Sequence, residues 1–409
     1  HPVWQDVPEP LLVVRGAAPV PVTHLDWSDV AETAREARLR DLLREERERG
    51  IDLARAPLQR LTLARLGDDS VRVVWSFHHM VLDGWSLFHV LSDVFACVAD
   101  PDTAALPVRR PFRDYVAWLG DRDREEAERH WRERLASLDE PTPLPYDREP
   151  RESHRAESRE TVRAVLPAVT TRALRERAKE AGLTLGTLVQ GAWALLLSRH
   201  AGRDEVVLGT TVSGRPPELD GAEAMTGLFI ATLPTRVTVP RAGTLAQWLR
   251  RLQQEQGEDR RHGSVPLTRM KAFTGLPERA GLFDSIVVFE NYPVDDGLAA
   301  AHGLRLSGLE GVETTNYPLS LVVEPGPELA LSLGYDPELF DASTAERLTG
   351  HLTVLLQGMA DDLDRAPRRL PLLTPAGRER AVRAGNGAVT GAPVTTTAGL
   401  FAGWVRRTP

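Results

Sequence analysis

The sequence is nearly empty of cysteine and lysine. Cys97 stands alone, which excludes an internal disulfide and any thiolate-based zinc site, since both need several sulfurs. Lys179 and Lys271 are the only lysines, so nearly all of the 50 basic residues are arginines, a bias we attribute to genome base composition. Positive charge is not in excess either: 50 basic against 58 acidic side chains leave a net charge of −8. A general nucleic-acid binder needs clustered positive charge, so nucleic acid is excluded as a partner. There is no run of ~18 apolar residues, and so no transmembrane helix. The opening HPVWQDVPEP lacks a basic segment followed by an apolar one, so no secretory signal is read there. Together these absences point to a cytoplasmic protein with no membrane partner.

What is present is ordinary globular composition: 409 residues, 42% hydrophobic and 26% charged. That length suits about two or three domains, or one large domain divided into lobes. His1 in place of a Met, and the tail TAGLFAGWVRRTP, make both ends read as cut from something longer. Periodicity predicts a charged helix over 30–48 ended by Gly50, then a hairpin of strands at 61–66 and 71–77 around Gly67-Asp68-Asp69-Ser70. A helix follows, with Leu87, Val90, Leu91, Val94, Phe95 and Val98 on one stripe. Further helices are predicted at 123–137, 171–181, 184–200, 244–257 and 343–360, the one at 184–200 apolar enough for a core. Strands are predicted at 205–212, 229–239, 285–290, 319–323 and 329–334. Residues 139–158, rich in Pro, Arg, Asp and Glu, read as a surface linker between lobes, and the Gly/Thr/Pro-rich stretch from 384 as a second one. The fold class is mixed α/β (α+β).

One segment carries chemistry: His78-His79-Met80-Val81-Leu82-Asp83-Gly84, between a predicted strand and a predicted helix. Histidine is the side chain suited to exchange protons near neutral pH. A strand end is a rigid mount, and a glycine lets the chain bend sharply after it. Asp83 is placed to orient an imidazole or to pair with a distant arginine. Two other readings stand beside this. Adjacent histidines at a strand end also occur as plain turn residues. His79 and Asp83 could also ligate a metal, but no second cluster supplies the further ligands that a catalytic zinc takes, so no metal is assigned.

HHMVLDGWS (78–86) resembles the active-site motif of the condensation-domain family of nonribosomal peptide synthetases. Further segments resemble that family's motifs in the same order. They are PFRDYVAW (111–118), VSGRP (212–216), TGLFIATLPTR (226–236, with Ala231 where Asn is usual), RRHGSVPLTRM (260–270), FDSIVVFENYP (283–293) and LPLLTPAGRER (370–380). LFAGWVRRTP (400–409) resembles the opening of an adenylation domain. The family's first two motifs, Ser-x-Ala-Gln-x-Arg-Leu-Trp and Arg-His-Glu-x-Leu-Arg, have no counterpart. The resemblance implies two chloramphenicol acetyltransferase-like lobes in a V with a tunnel between them. It divides the chain into an N-lobe at 1–155, incomplete at its start, a C-lobe at 156–383, and a linker with the start of an adenylation domain at 384–409.

The implied reaction joins a donor acyl or peptidyl thioester to the amine of an acceptor aminoacyl thioester. The partners are the upstream donor and downstream acceptor peptidyl carrier proteins and the adjoining adenylation domain. Phosphopantetheine comes from the carriers, and the domain itself binds no cofactor. The resemblance makes His79 the group at the reacting atoms, expected to accept a hydrogen bond from the attacking amine at Nε2 and to take its proton. His78 is expected to turn into the lobe. Asp83 is expected to pair with an arginine, Arg215 or Arg236, unless its partner lies in the absent opening segment. The Gly84 N–H either donates to the developing oxyanion or belongs to a plain turn. Trp85 and Ser86 line the tunnel or pack beneath it. Asn291 and Tyr292 approach from the other lobe or pack structurally, and Tyr115 and Trp118 pack near the motif. Leu82 with FENYP (289–293) resembles domains that take a D-configured donor. Among relatives, the Gly-Trp-Ser after Asp83 favours condensation over epimerization, and the paired histidines exclude heterocyclization. Starter, ester-forming and non-catalytic recruitment domains of the same fold remain alternatives, and the intact motif argues against the last.

Overall fold

The computed structural model describes residues 2–3, 7–8, 11–102, 104–150, 156–290, 297–311, 313–386 and 396–407. In chain order the first part holds a two-residue pair, β1 (Pro2–Val3) and β2 (Leu11–Leu12), then β3 (Val22–Asp26), α1 (Glu32–Arg49), β4 (Gln59–Gly67), β5 (Ser70–Phe77), α2 (Gly84–Ala99), α3 (Phe112–Gly120) and α4 (Arg124–Leu135). The second part holds β6 (Glu160–Leu166), α5 (Ala168–Ala181), α6 (Leu185–Ala201), β7 (Glu205–Val212), β8 (Ala231–Thr238), α7 (Leu245–Arg261), α8 (Leu267–Lys271), β9 (Ser285–Phe289), α9 (Gly297–Ala300), β10 (Leu319–Pro325), β11 (Leu329–Tyr335), α10 (Ala342–Asp361), α11 (Pro375–Gly385) and α12 (Thr397–Arg407). The class is mixed α/β, built on one sheet in each of two lobes.

The larger lobe is a six-stranded sheet in the order β6-β11-β10-β9-β7-β8, parallel at β10–β9 and β9–β7 and antiparallel elsewhere. Its main core lies under α5, α6 and α10. α6 is apolar on every side, the pattern of a helix buried all round. Leu188, Val189, Trp193, Leu195 and Leu196 are sealed from solvent, and Thr184 caps the helix by accepting from the Thr187 N–H. On the opposite face, Trp131 and Leu135 of α4 pack against Val207, Leu233, Phe283 and Ile286. No single helix among the described residues is long and apolar enough to cross a membrane. The bent pair α5–α6 reaches the length and composition only jointly, across a 102° break, and α6 is the core helix just described.

The smaller lobe is a three-stranded sheet, β3-β4-β5, with the hairpin β4–β5 antiparallel and β3 parallel to β4. Trp27, Leu39, Ala64 and Val74 join the sheet to α1. The predicted apolar stripe of α2 is only partly covered: Val94 is 47% and Val98 59% exposed.

The lobes are joined by an excursion. Residues 213–230, between β7 and β8, leave the large sheet and pack Leu219, Ala222, Met225 and Phe229 against Phe112, Tyr115 and Trp118 of α3. Gly214 starts the excursion at φ 61°, and a Cβ there would fall 1.8 Å from the Phe229 carbonyl oxygen. Only glycine allows both that conformation and that approach.

The segment read as a surface linker is bound along its first half. The Thr142 hydroxyl accepts from the Val207 N–H at 2.7 Å, the Asp147 N–H donates to the Leu339 carbonyl at 3.1 Å, and Tyr146 stacks on Phe340 at 5.1 Å. Its charged residues Asp139, Glu140, Asp147, Arg148 and Glu149 stay exposed beside these bonds. The expected lobe boundary at 155 falls outside the described residues. So do residues 387–395 of the expected second linker, beyond which α12 is helical with Phe401 and Trp404 exposed.

Candidate active site

β5 delivers the histidines. The His78 N–H still donates to the Leu58 carbonyl at 3.0 Å, extending the strand pairing by one residue. The chain then turns, closed by the Val81 N–H donating to the His78 carbonyl at 3.1 Å, and α2 begins at Gly84. Asp83 is the N-cap of α2: its Oδ1 accepts from the Ser86 N–H at 2.8 Å, satisfying one of the free donors at a helix start.

Asp83 does more than cap. It is 1% exposed, and its carboxylate also accepts from the Phe229 N–H at 3.1 Å and from Arg215 Nη2 at 3.0 and 3.2 Å. Arg215 has a side chain 5% exposed, and its Nη1 donates to the carbonyls of Ala222 and Met225 at 2.6 and 2.9 Å. Its guanidinium lies 4.1 Å from the centre of the Phe229 ring, a cation–π contact inside a desolvated site. A buried charge is tolerated when it is paired and its remaining hydrogens are bonded, and both conditions are largely met here.

Of the two expectations for Ser86, lining the tunnel or packing beneath it, its burial fits the second, and its hydroxyl is also fully bonded. It is fully buried, and its hydroxyl donates to the Gly227 carbonyl at 2.8 Å while accepting from the Gly227 N–H and from Arg215 Nη2, each at 3.0 Å. The Asp83 N–H also donates to the Gly227 carbonyl at 3.2 Å. Gly227 is tied on its other side too, since a Cβ there would meet the Phe112 ring at 2.2 Å. Farther along α2, His89 Nε2 meets the Glu223 carbonyl at 2.8 Å. The motif loop of the small lobe is thus held almost entirely by the 213–230 excursion of the large lobe. Gly227 and Phe229 were not singled out from the sequence. Their signal was present in TGLFIATLPTR, but backbone partners leave no side-chain trace.

Arg236 does not reach Asp83. It pairs with Glu205 at 2.8 and 2.9 Å and donates to the Arg134 carbonyl at 2.9 Å. The register explains this: Arg236 sits opposite Val207, five residues back from Val212, where β7 ends and the excursion starts. At about 3.4 Å per residue that is about 17 Å along the sheet. Arg236 instead lines a cleft of about 570 Å³ with His130, Arg134, Glu205, Trp248 and Glu255, toward the far end of the sheet.

His78 is half-buried, and its Nδ1 accepts from the Met80 N–H at 3.1 Å. Burial, and to a lesser degree the neighbouring His79, hold it below the usual imidazole range. His79 is half-buried with Nδ1 shut away from solvent and without a hydrogen-bond partner. Trp85 is half-buried beside Gly84 in sequence. Tyr115 packs on Phe229 at 4.5 Å and stacks on Trp118 at 6.1 Å. Asn291 and Tyr292 lie outside the described residues. Among the described residues no group of His, Cys, Asp and Glu is arranged to hold a metal ion.

Residues 3–381 match the family model described as Condensation domain. The chain is 39% identical over 381 residues to a linear gramicidin synthase of Brevibacillus parabrevis, covering 92% of this chain and 7% of that protein. It is 39% identical over 385 residues to chondramide synthase cmdD of Chondromyces crocatus, covering 92% of this chain and 10% of that one. It therefore spans a small part of the length of these curated relatives. Among solved structures it is similar to the X-domain from teicoplanin biosynthesis, with a TM-score of 0.73 and 26% identity over 88% of this chain and 83% of that one. That X-domain is also solved in complex with OxyB, and this chain matches it there with a TM-score of 0.70. The starter condensation domain of rhizomide synthetase shares the fold, with a TM-score of 0.70 at 20% identity over 88% of this chain and 82% of that one. With the family model spanning nearly the whole sequence and the histidine motif seated where the two lobes meet, the chain belongs to the condensation-domain family of nonribosomal peptide synthetases.

Proposed function

We propose that this domain forms an amide bond between a donor acyl or peptidyl thioester and the α-amine of an acceptor aminoacyl thioester. Both substrates ride on phosphopantetheine arms of partner carrier proteins, so the domain supplies no cofactor. The amine nitrogen attacks the thioester carbonyl carbon, the C–N bond forms, the C–S bond breaks, and the donor carrier keeps a free thiol. The observation that carries this reading is the intact His78-His79…Asp83-Gly84 turn, rigidly held by Arg215, Ser86 and Gly227 in a member of this family.

The chemistry asks little of a base. An α-amine has a pKa of about 7.7–8.0, so part of it is already neutral at pH 7. Alignment of bound reactants can supply about 7–11 kcal/mol in favourable cases. A rigid turn presenting one histidine suits that demand. His79 meets the reacting atoms; Asp83, Ser86 and Arg215 keep the turn in shape.

The test is single-turnover transfer between an upstream and a downstream carrier, each loaded with an aminoacyl-phosphopantetheine and followed by intact-protein mass spectrometry. The parent should transfer and His79→Ala should not. A His79→Ala protein with near-normal turnover removes the assignment. Likeness to a domain solved with a partner, the X-domain with OxyB, supports a second reading, in which the domain recruits a partner and does no chemistry. No transfer by the parent, with both carriers still bound, favours that reading.

A further inference from the structure

The excursion is tied to the small lobe at more places than the turn. It runs back along α2: Gly227 is held by Ser86 in the first turn of the helix, and Glu223 by His89 in the second. Past the end of α2, Arg110 donates to the Asp220 carbonyl at 3.1 Å. Arg109 beside it is clamped to Asp93 of α2 at 2.5 and 2.9 Å.

His89 closes a ring of contacts. Arg215, the partner of Asp83, also donates to the carbonyls of Ala222 and Met225, which flank Glu223 in sequence. The arginine that fixes the cap of α2 therefore also sets the carbonyl that His89 meets at 2.8 Å. From His89 the ring returns through the first turns of α2 to Asp83. A carbonyl only accepts, so the His89 hydrogen sits on Nε2, and protonation of the ring leaves that donor in place. Packing does little to hold the rest of the helix, since Val94 and Val98 on its apolar stripe are exposed. His89 lies about 7.5 Å along the axis from Gly84, so a 1 Å shift there tilts α2 by about 8° on its cap.

We infer that His89 is a positioning residue for the transfer reaction: its Nε2–H bond to the Glu223 carbonyl sets how α2 lies on the excursion, and so where the histidine turn is aimed. His89 touches no substrate. It acts through the cap, because Asp83 both begins α2 and ends the turn.

The effect on rate rests on the amide-forming reading; the tie between the lobes does not. The first measurement is therefore amide hydrogen exchange, read by mass spectrometry, on the parent and on His89→Leu. Peptides holding Asp83, Ser86, Gly227 and Phe229 should exchange about tenfold faster in the variant, and those of α6 should not change. Unchanged exchange around the turn overturns the inference. The second measurement is single-turnover transfer per folded molecule over a range of carrier concentrations. His89→Leu should lower the saturating rate about tenfold and leave the half-saturating concentration within about twofold of the parent. His89→Gln, whose amide N–H reaches about as far as Nε2, should restore the rate to within about threefold. A parent-like rate in His89→Leu overturns the inference. So does a Gln variant as slow as the Leu variant, or a change confined to the half-saturating concentration, which would place His89 in carrier binding. Faster exchange in His89→Leu beside a parent that transfers nothing leaves the tie in place and sinks the amide-forming reading.

Discussion

Replacing Asp83 by Ala should damage the fold before it damages any chemistry. The carboxylate is the anion paired with Arg215, whose side chain is 5% exposed, and it also accepts two backbone N–H groups. Removing one member of a buried pair leaves the other charge uncompensated and costs about 3–5 kcal/mol. The lost helix cap is worth about 1 kcal/mol, but it involves the same atoms and does not add in full. With an unfolding entropy of about 2.1 cal/mol/K per residue, a single cooperative transition of this chain should shift down by about 4–6 °C. Urea titration and scanning calorimetry of Asp83→Ala read this directly. The double variant with Arg215→Met removes both charges and should recover about 1–3 kcal/mol relative to the sum of the single losses. If Asp83→Ala melts like the parent, or if the two losses simply add, the pair does not hold the loop and the argument fails.

Three other outcomes follow from the geometry. Gly227→Ala should cost about 1–3 kcal/mol by urea titration, because the new methyl meets a Phe112 ring that is itself wedged against Phe229 and Tyr115. Arg236→Ala should shift the melting temperature through its lost Glu205 pair but leave carrier-to-carrier transfer per folded molecule unchanged, in contrast to Arg215→Ala. Finally, His200 is pushed down to about 4 by burial and then by the facing His351 and Arg347, and His351 is lowered by burial and Arg347. The unfolded chain then binds more protons than the folded one between pH 6.5 and about 4, so stability should fall as pH drops through that window. His200→Leu should flatten that slope in melting curves taken across it.

Strong periodicity made most elements legible. The all-round apolar run of α6 and the β4–β5 hairpin appear within a few residues of their predicted bounds. β6 was missed because it is an edge strand with Thr161, Arg163 and Val165 on its outer side, and it follows a segment whose composition reads as linker. The motif itself was readable from strand, turn and helix signals around two histidines. Its supports were not. Choosing between Arg215 and Arg236 needed the β7–β8 register, because both lie near that hairpin in sequence and only one passes the end of the strand. Ser86 read as lining a tunnel or packing beneath it, and deciding for burial depends on a glycine 141 positions away. The unpartnered Nδ1 of His79 is likewise a property of surroundings that no local pattern encodes.

The excursion between β7 and β8 sets a rule for recombining such domains. A hybrid that exchanges large lobes carries Arg215, Gly227 and Phe229 from one parent against Asp83, Ser86, Phe112 and Tyr115 from the other. The junction in sequence then lies far from the junction in space, and a cut placed in an exposed stretch still passes through the hydrogen bonds around the histidine turn. Compatibility of two parents is therefore decided by these residues from both sides of that seam rather than by similarity at the splice. Grafting 213–230 together with the small lobe keeps those contacts native.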